Sequence, residues 1–253
     1  HYFDGRKVSC HYQLLNTLQL SEKEVNDLLE PSLDYIAKVR SDPAVLRHHI
    51  NYPYDEMDIT PLNSKNEIIF KLLGMNANFA KTQLYYDFRN DLVKSLIREL
   101  KKGHILVNGN YSTLLGNGYE MLQQSIGTFE GKSIIGKGNI HSKRFEYDKT
   151  ILGSRSPHVC SGNVLLVNNV ASDEIDKYFD LSNEVVYVNA IEENIQQRLN
   201  GCDYDSDSIL LTDNQMFIKA AQKNYDKFKV PTCFVSAKKI KRYYTNEQKA
   251  DLD

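Results

Sequence analysis

The spacing of hydrophobic positions along this chain changes near residue 104, and the change separates two kinds of structure. Between residues 79 and 102, Leu84, Phe88, Leu92, Leu96 and Leu100 recur every fourth position. That spacing lines one face of an amphipathic helix. Lys101 and Lys102 complement the dipole of its last turn, and Gly103 ends it. Earlier segments carry helix-start signals. Ser21-Glu22-Lys23-Glu24 is a capping box, opening a helix that Pro31 is expected to interrupt or kink. Asp42-Pro43 starts another helix. Ser64-Lys65-Asn66-Glu67 is a second capping box ahead of residues 68–73, with Gly74 as the natural C-cap.

Beyond residue 104 the apolar runs become short. His104 to Val107 and Tyr111 to Leu115 flank Asn108-Gly109, which predicts a hairpin closed by a type I′ turn. Gly116-Asn117-Gly118 forms a loop into a short helix over 119–126. Strand-like segments follow at 133–136, 150–154, 163–168, 184–189 and 208–212, with a short helix possible at 190–199. A further helix begins after Asp213 and runs to Asn224. Short strands at irregular spacing favour a small barrel over a sandwich. The expected fold is α+β, with a helical region over 1–103, a barrel over 104–215, and a C-terminal helix with a basic tail over 216–253.

The richest chemistry lies just before the last strand, in Asn200-Gly201-Cys202-Asp203-Tyr204-Asp205-Ser206-Asp207. Carboxylates at every second position raise one another's pKa and repel unless something compensates. Hard divalent cations such as Mg²⁺ and Ca²⁺ are the natural compensators. On a flat strand, residues i and i+2 sit roughly 6.6 Å apart. Ligand oxygens lie about 2.1 Å from a bound Mg²⁺. The three acids can therefore share a cation only if the segment is a tight bend. An EF-hand is excluded, because loop positions 6 and 12 counted from Asp203 are Ser208 and Asn214 rather than Gly and Glu.

Composition narrows the partners little. The 253 residues carry a net charge of -2, which gives no global bias toward nucleic acid. Local basic runs exist at Lys132 to Arg144 and at Lys238-Lys239-Ile240-Lys241-Arg242. The 4 cysteines (Cys10, Cys160, Cys202, Cys233) form no C-x-x-C pair, which argues against zinc and a disulfide framework and suits a reducing cytoplasm. No apolar run is long enough to span a membrane. A start at His1 rather than Met suggests an excised piece of something longer.

About fifty residues before the acids lies Gly153-Ser154-Arg155-Ser156-Pro157, followed by a small-residue turn and the apolar run from Asn163. In this order, Gly-x-Arg-x-Pro and then Gly-Cys-Asp-Tyr-Asp-Ser-Asp, the pair resembles the catalytic double-psi β-barrel of multisubunit RNA polymerases. It is more similar still to that of cellular RNA-dependent RNA polymerases. Residues 109–122 add to the likeness, which covers roughly 104–215. The resemblance implies a metal-dependent nucleotidyltransferase in which Asp203, Asp205 and Asp207 hold Mg²⁺, with Mn²⁺ as a possible substitute. It implies Arg155 beside the incoming nucleotide's sugar, where its planar fork suits hydroxyls. The implied partners are a DNA or RNA template, the RNA product, nucleoside triphosphates, and the remainder of the polymerase chain or another subunit. Residues 132–144 would then face phosphate.

Departures from the family pattern are specific. Ser206 stands where the family has glycine between the second and third aspartates, and strain follows if that position needs positive φ. Gly201 occupies the place of a sugar-reading Asn, with Asn200 displaced by one. No second barrel, translocating helix or mobile loop is identifiable. The alternative reading is a non-catalytic barrel that keeps the loop for nucleic-acid or cation binding. His141 and His158 are expected to be hydrogen-bonded structural residues, His48 and His49 point apart on a helix, and Cys202 is expected to be packed. Tyr85-Tyr86 and Tyr243-Tyr244 could stack on bases, although helical spacing favours packing.

Overall fold

The computed structural model describes residues 7–50, 64–227, 230 and 245. The second basic run, Tyr243-Tyr244 and Cys233 lie outside the described residues. The helical expectation for the first hundred residues holds in outline. A short strand β1 (Lys7–Ser9) and helix α1 (Tyr12–Thr17) precede α2 (Glu22–Ser41), which opens on the expected capping box of Ser21 and Glu24. Asp42 caps α3 (Pro43–His49), with Pro43 in its first turn. Ser64 caps α4 (Lys65–Met75), a 3₁₀ turn spans Ala77–Lys81, and α5 runs Gln83–Lys101. Gly103 takes φ +95° after α5 and ends it as expected.

Three helical details differ from expectation. Pro31 lies inside α2 and does not end it. Leu28 and Ser32 on either side are buried, and the Ser32 hydroxyl accepts the Leu106 N–H at 2.8 Å, so docking outweighs the lost backbone bond. Gly74 lies within α4, whose cap is Asn76. The stretch 79–102 is not one helix, because the Thr82 side chain accepts the Tyr85 N–H and restarts the chain there. That restart rotates the buried face onto Tyr85, Phe88 and Val93, leaving Leu84 50% exposed.

The remaining strands are β2 (Leu106–Asn108), β3 (Asn110–Leu115), β4 (Asn139–His141), β5 (Lys149–Ser154), β6 (Val164–Asn169), β7 (Val185–Val188) and β8 (Ser208–Thr212). β3 to β8 close into a barrel in the order β3-β7-β4-β6-β5-β8. β3 pairs parallel with β7, and β4 pairs parallel with β6, while the other neighbours are antiparallel. Apolar side chains from β3, β5, β6, β7 and β8, including Leu114, Ile151, Val167, Val186 and Ile209, fill the interior. Helices α6 (Gly118–Ser125), α7 (Asp173–Tyr178), α8 (Ile195–Arg198) and α9 (Gln215–Asn224) lie outside. No helix among the described residues is long and apolar enough to cross a membrane.

The predicted hairpin is absent. β2 pairs with β1, whereas β3 enters the barrel between β7 and β8. Neither Asn108 nor Gly109 has the positive φ that a type I′ turn demands. Gly109 serves a different need, since a Cβ there would meet the Leu211 carbonyl oxygen at 2.5 Å. Residues 133–136 are a turn rather than a strand. Gly136 and Gly138 adopt φ +71° and +74°, which extended backbone does not allow, and the strand begins at Asn139. The helix allowed over 190–199 contracts to α8.

Candidate active site

β5 and β8 bring the two motifs together. Ser154, the last residue of β5, pairs with Leu210 near the start of β8, so the chain after β5 and the chain before β8 emerge at one end of the barrel. At that end residues 200–207 bend sharply. Asn200 and Gly201 take φ +57° and +71°, and the N–H groups of Gly201 and Cys202 both donate to the Gln196 carbonyl. Cys202 is buried in the barrel core and anchors the loop from below. Its thiol is pushed up to about 11, chiefly by burial, which makes it the packed residue expected rather than a nucleophile. Downstream, the Leu114 N–H donates to the Asp207 carbonyl at 2.9 Å.

Between these anchors the three acids converge. One carboxylate oxygen from each of Asp203, Asp205 and Asp207 lies within 4.8 Å of the others. The Asp203 N–H donates to Asp207 Oδ2 at 3.0 Å, and the Asp205 N–H to Asp203 Oδ1 at 3.3 Å. The carboxyls differ electrostatically. Asp205 is raised from its ordinary value by hydrogen bonding to Asp203 and by repulsion from Asp203 and Asp207. Asp207 is lowered, first by the Asp203 N–H and then by Arg155. Ser206 sits at φ +111°, so the departure from glycine falls at a position whose backbone favours glycine.

Arg155 reaches this loop directly. Its Nη2 lies 2.7 Å from Asp207 Oδ2 and 3.0 Å from Oδ1. Nη1 donates to the carbonyls of Leu199 and Asn200 at 3.4 and 3.3 Å. The arginine therefore shares the cleft with the acids and braces the bend that carries them. Asn200, read in the sequence as a displaced sugar reader, donates to the Pro157 carbonyl at 3.2 Å and ties loop to turn.

Several contributors carry no sequence signal. The Tyr204 ring rests on Gly116, where a Cβ would meet it at 2.9 Å, and its hydroxyl accepts from Gln196 Nε2 at 3.0 Å. Asn163 Oδ1 accepts the N–H groups of Val159 and Cys160, and its Nδ2 donates to the Arg198 carbonyl. The contacts of Tyr204 with Gly116 and of Asn163 with Arg198 join residues that only the fold makes neighbours. The other candidates are structural. His158 is buried, donates to the Cys160 carbonyl, and is lowered to about 4 by burial and then by His11. His141 is buried against the Val170 carbonyl and Asp176. Lys143 from the first basic run also pairs with Asp176, at 3.2 Å. Tyr35 bonds His49 at 2.7 Å, and Tyr85 is buried.

The donor set fits a hard cation. Ligands on an octahedral Mg²⁺ lie about 3 Å apart when adjacent and about 4.2 Å when opposite, so acids within 4.8 Å of one another must draw together by up to about 2 Å, a distance that side-chain rotation covers. Comparison with family models and with curated proteins finds no match. Comparison with solved structures finds the RNA-dependent RNA polymerase QDE-1 from Thielavia terrestris, with TM-score 0.59 and 13% identity. The match covers 95% of this chain and 26% of that polymerase. The likeness is one of fold. This chain is an α+β structure with the barrel architecture of that polymerase, and the resemblance read from its motifs is borne out at that level.

Proposed function

We propose that the chain is the catalytic-barrel portion of an RNA polymerase, a nucleotidyltransferase that uses Mg²⁺ or Mn²⁺ to join ribonucleotides on a DNA or RNA template. The observation that carries this reading is the convergence of Asp203, Asp205 and Asp207 beside Arg155 at one barrel mouth. Asp203, Asp205 and Asp207 would hold the cation. Metal ions in such a site activate the attacking hydroxyl and neutralise the leaving pyrophosphate.

The chain's own residues have defined tasks. Arg155 aims Asp207 into the cluster and fixes the bend through two carbonyls. Its Nη atoms carry all of these bonds, so contact with a ribose hydroxyl falls to Nε–H or requires one Nη to leave a carbonyl. Tyr204 and Gln196 hold the loop apex against Gly116. In this reading residues 104–215 form the catalytic domain, with α1, α2 and α9 packed against it. Triphosphate, template and product would meet residues supplied by the rest of a longer polypeptide or another subunit, acting in the cytoplasm.

Thermal unfolding with and without Mg²⁺ or Mn²⁺ tests the site. At a hundredfold excess over Kd, a cation stabilises by about 2.7 kcal/mol, roughly 5–10 °C for a chain of this size. Asp205→Ala removes that shift. Nucleotide incorporation by the full-length polypeptide, lost in Asp205→Ala, separates a polymerase from a barrel that only binds cations or nucleic acid. These 253 residues alone are expected to synthesise negligibly, and robust templated extension by them would refute the fragment reading.

A further inference from the structure

Helix α1 has six residues, too few to be stable in isolation, and His11 at its N-terminus provides no side-chain cap. Tertiary contacts must hold it: Leu14 is buried in the core and Tyr12 packs on His104, while its long-range polar bonds converge on the turn after β5 that carries Arg155. Gln13 Oε1 accepts from Ser156 Oγ at 2.8 Å and from the His158 N–H at 3.0 Å. Ser161 Oγ donates to the Thr17 carbonyl at 2.6 Å. His11 Nε2 lies 3.0 Å from Ser154 Oγ, which lies 2.9 Å from His158 Nδ1.

Proton accounting gives this chain a direction. His158 Nε2 lies 2.8 Å from the Cys160 carbonyl, an acceptor, so Nε2 carries the hydrogen and Nδ1 of the neutral ring accepts. Ser154 then donates to His158 and accepts from His11 Nε2–H. Both neighbours of Arg155, Ser154 and Ser156, are thereby fixed by α1 and the residue before it. The backbone on either side of Arg155 is tied to this corner of the molecule.

We infer that α1 is the positioning element of Arg155, with Gln13 and the His11–Ser154–His158 chain setting the turn from which the guanidinium reaches Asp207. The inference rests on the reading of the acid loop and Arg155 as an active centre. Gln13 and His158 are positioning residues, because neither touches the acids.

The test uses the whole chain labelled with ¹⁵N-arginine, with the Arg155 guanidinium signal assigned by its loss in Arg155→Lys. In the parent, the bonds to Asp207 and two carbonyls keep the Nη protons in slow exchange. Gln13→Met keeps length but removes the acceptor, and exchange is expected to quicken at least about tenfold. Gln13→Glu keeps both acceptor contacts and restores slow exchange. A packing role predicts the reverse, with Met tolerated and Glu not. Unchanged exchange in Gln13→Met overturns the inference. Should that variant fail to fold, Ser156→Ala, which removes one of the two donors to Gln13, decides: unchanged Arg155 signals overturn the inference, and faster exchange supports it. In a second, uniformly ¹⁵N-labelled sample, added Mn²⁺ should separately broaden the amide signals of residues 203–207. Absence of that broadening overturns the active-centre reading, whatever the Gln13 variants show.

Discussion

The two halves of the site sit side by side yet are held in opposite ways. The turn from Ser154 to Asn163 is gripped on several sides by α1, by Asn163 and by its own buried histidine. The acid loop has exposed carboxylates at Asp203 and Asp205 and is shaped by backbone bonds, one buried cysteine, the contacts of Tyr204 and Asn200, and a single guanidinium. The turn is a fixed wall. The loop is a charge concentration kept in shape from below and behind, and among the described residues the ion pair to it is that of Arg155 with Asp207. A rigid side carrying Arg155 therefore orients an acidic side whose proposed role is to hold a cation. Changes in the turn should move stability, and changes in the loop should move cation binding.

The largest expected effect breaks the wall. His158→Ala strands the Ser154 hydroxyl and the Cys160 carbonyl and leaves a cavity, costing about 3 kcal/mol. Urea unfolding without divalent cations measures it. Asp205→Ala under the same conditions should cost nothing, since it removes a repelling charge. Comparable losses in the two variants would erase the proposed contrast.

Acidity gives the next largest effect, with opposite signs in the two regions. His11 and His158 are both lowered from 6.5 to about 4 by burial. Below pH 6.5 the unfolded chain binds more protons than the folded one, so stability falls as pH drops from 6.5 toward 4 and is flat above 6.5. Asp205 runs the other way, because a raised carboxyl takes its proton more readily in the folded state. Between pH 6.5 and 5 the histidines dominate, and Tm should fall by several degrees. His158→Ala should flatten that slope, and an unchanged slope would show that the turn's histidines are not held neutral.

Much of this arrangement was legible in the sequence because it rests on local chemistry. Three acids at alternate positions demand a bend, and a bend with converging carboxylates is what residues 200–207 form. The apolar runs of β5, β6, β7 and β8 announced themselves, as did Arg155 through its neighbours. What failed was set by distant contacts. Asn108-Gly109 looks like a turn, yet the glycine answers to a carbonyl at Leu211, about a hundred residues away. β4 is three residues long and carries no period to read. The grip of Gln13 on Ser156 spans 143 residues, and no local pattern encodes it. The acids and arginine were readable because their chemistry is unusual. Their scaffold was not, because glutamine, serine and threonine are ordinary residues until the fold brings them together.

The smallest expected effect sharpens the comparison on the loop side. Ser206 at φ +111° occupies backbone that glycine adopts freely and other residues adopt under strain. Ser206→Gly removes about 1 kcal/mol of that strain and adds some freedom to the unfolded chain, which offsets part of the gain. Net stability should therefore change by less than about 1 kcal/mol. Cation affinity offers the better readout. If strain at Ser206 holds Asp205 and Asp207 slightly apart, glycine lets them close to the spacing that a shared Mg²⁺ requires, and Mn²⁺ titration should show tighter binding. Weaker binding would mean that the serine, with its restricted backbone, preorganises the acids instead. In that case the departure from glycine is an adaptation of this loop rather than a defect in it.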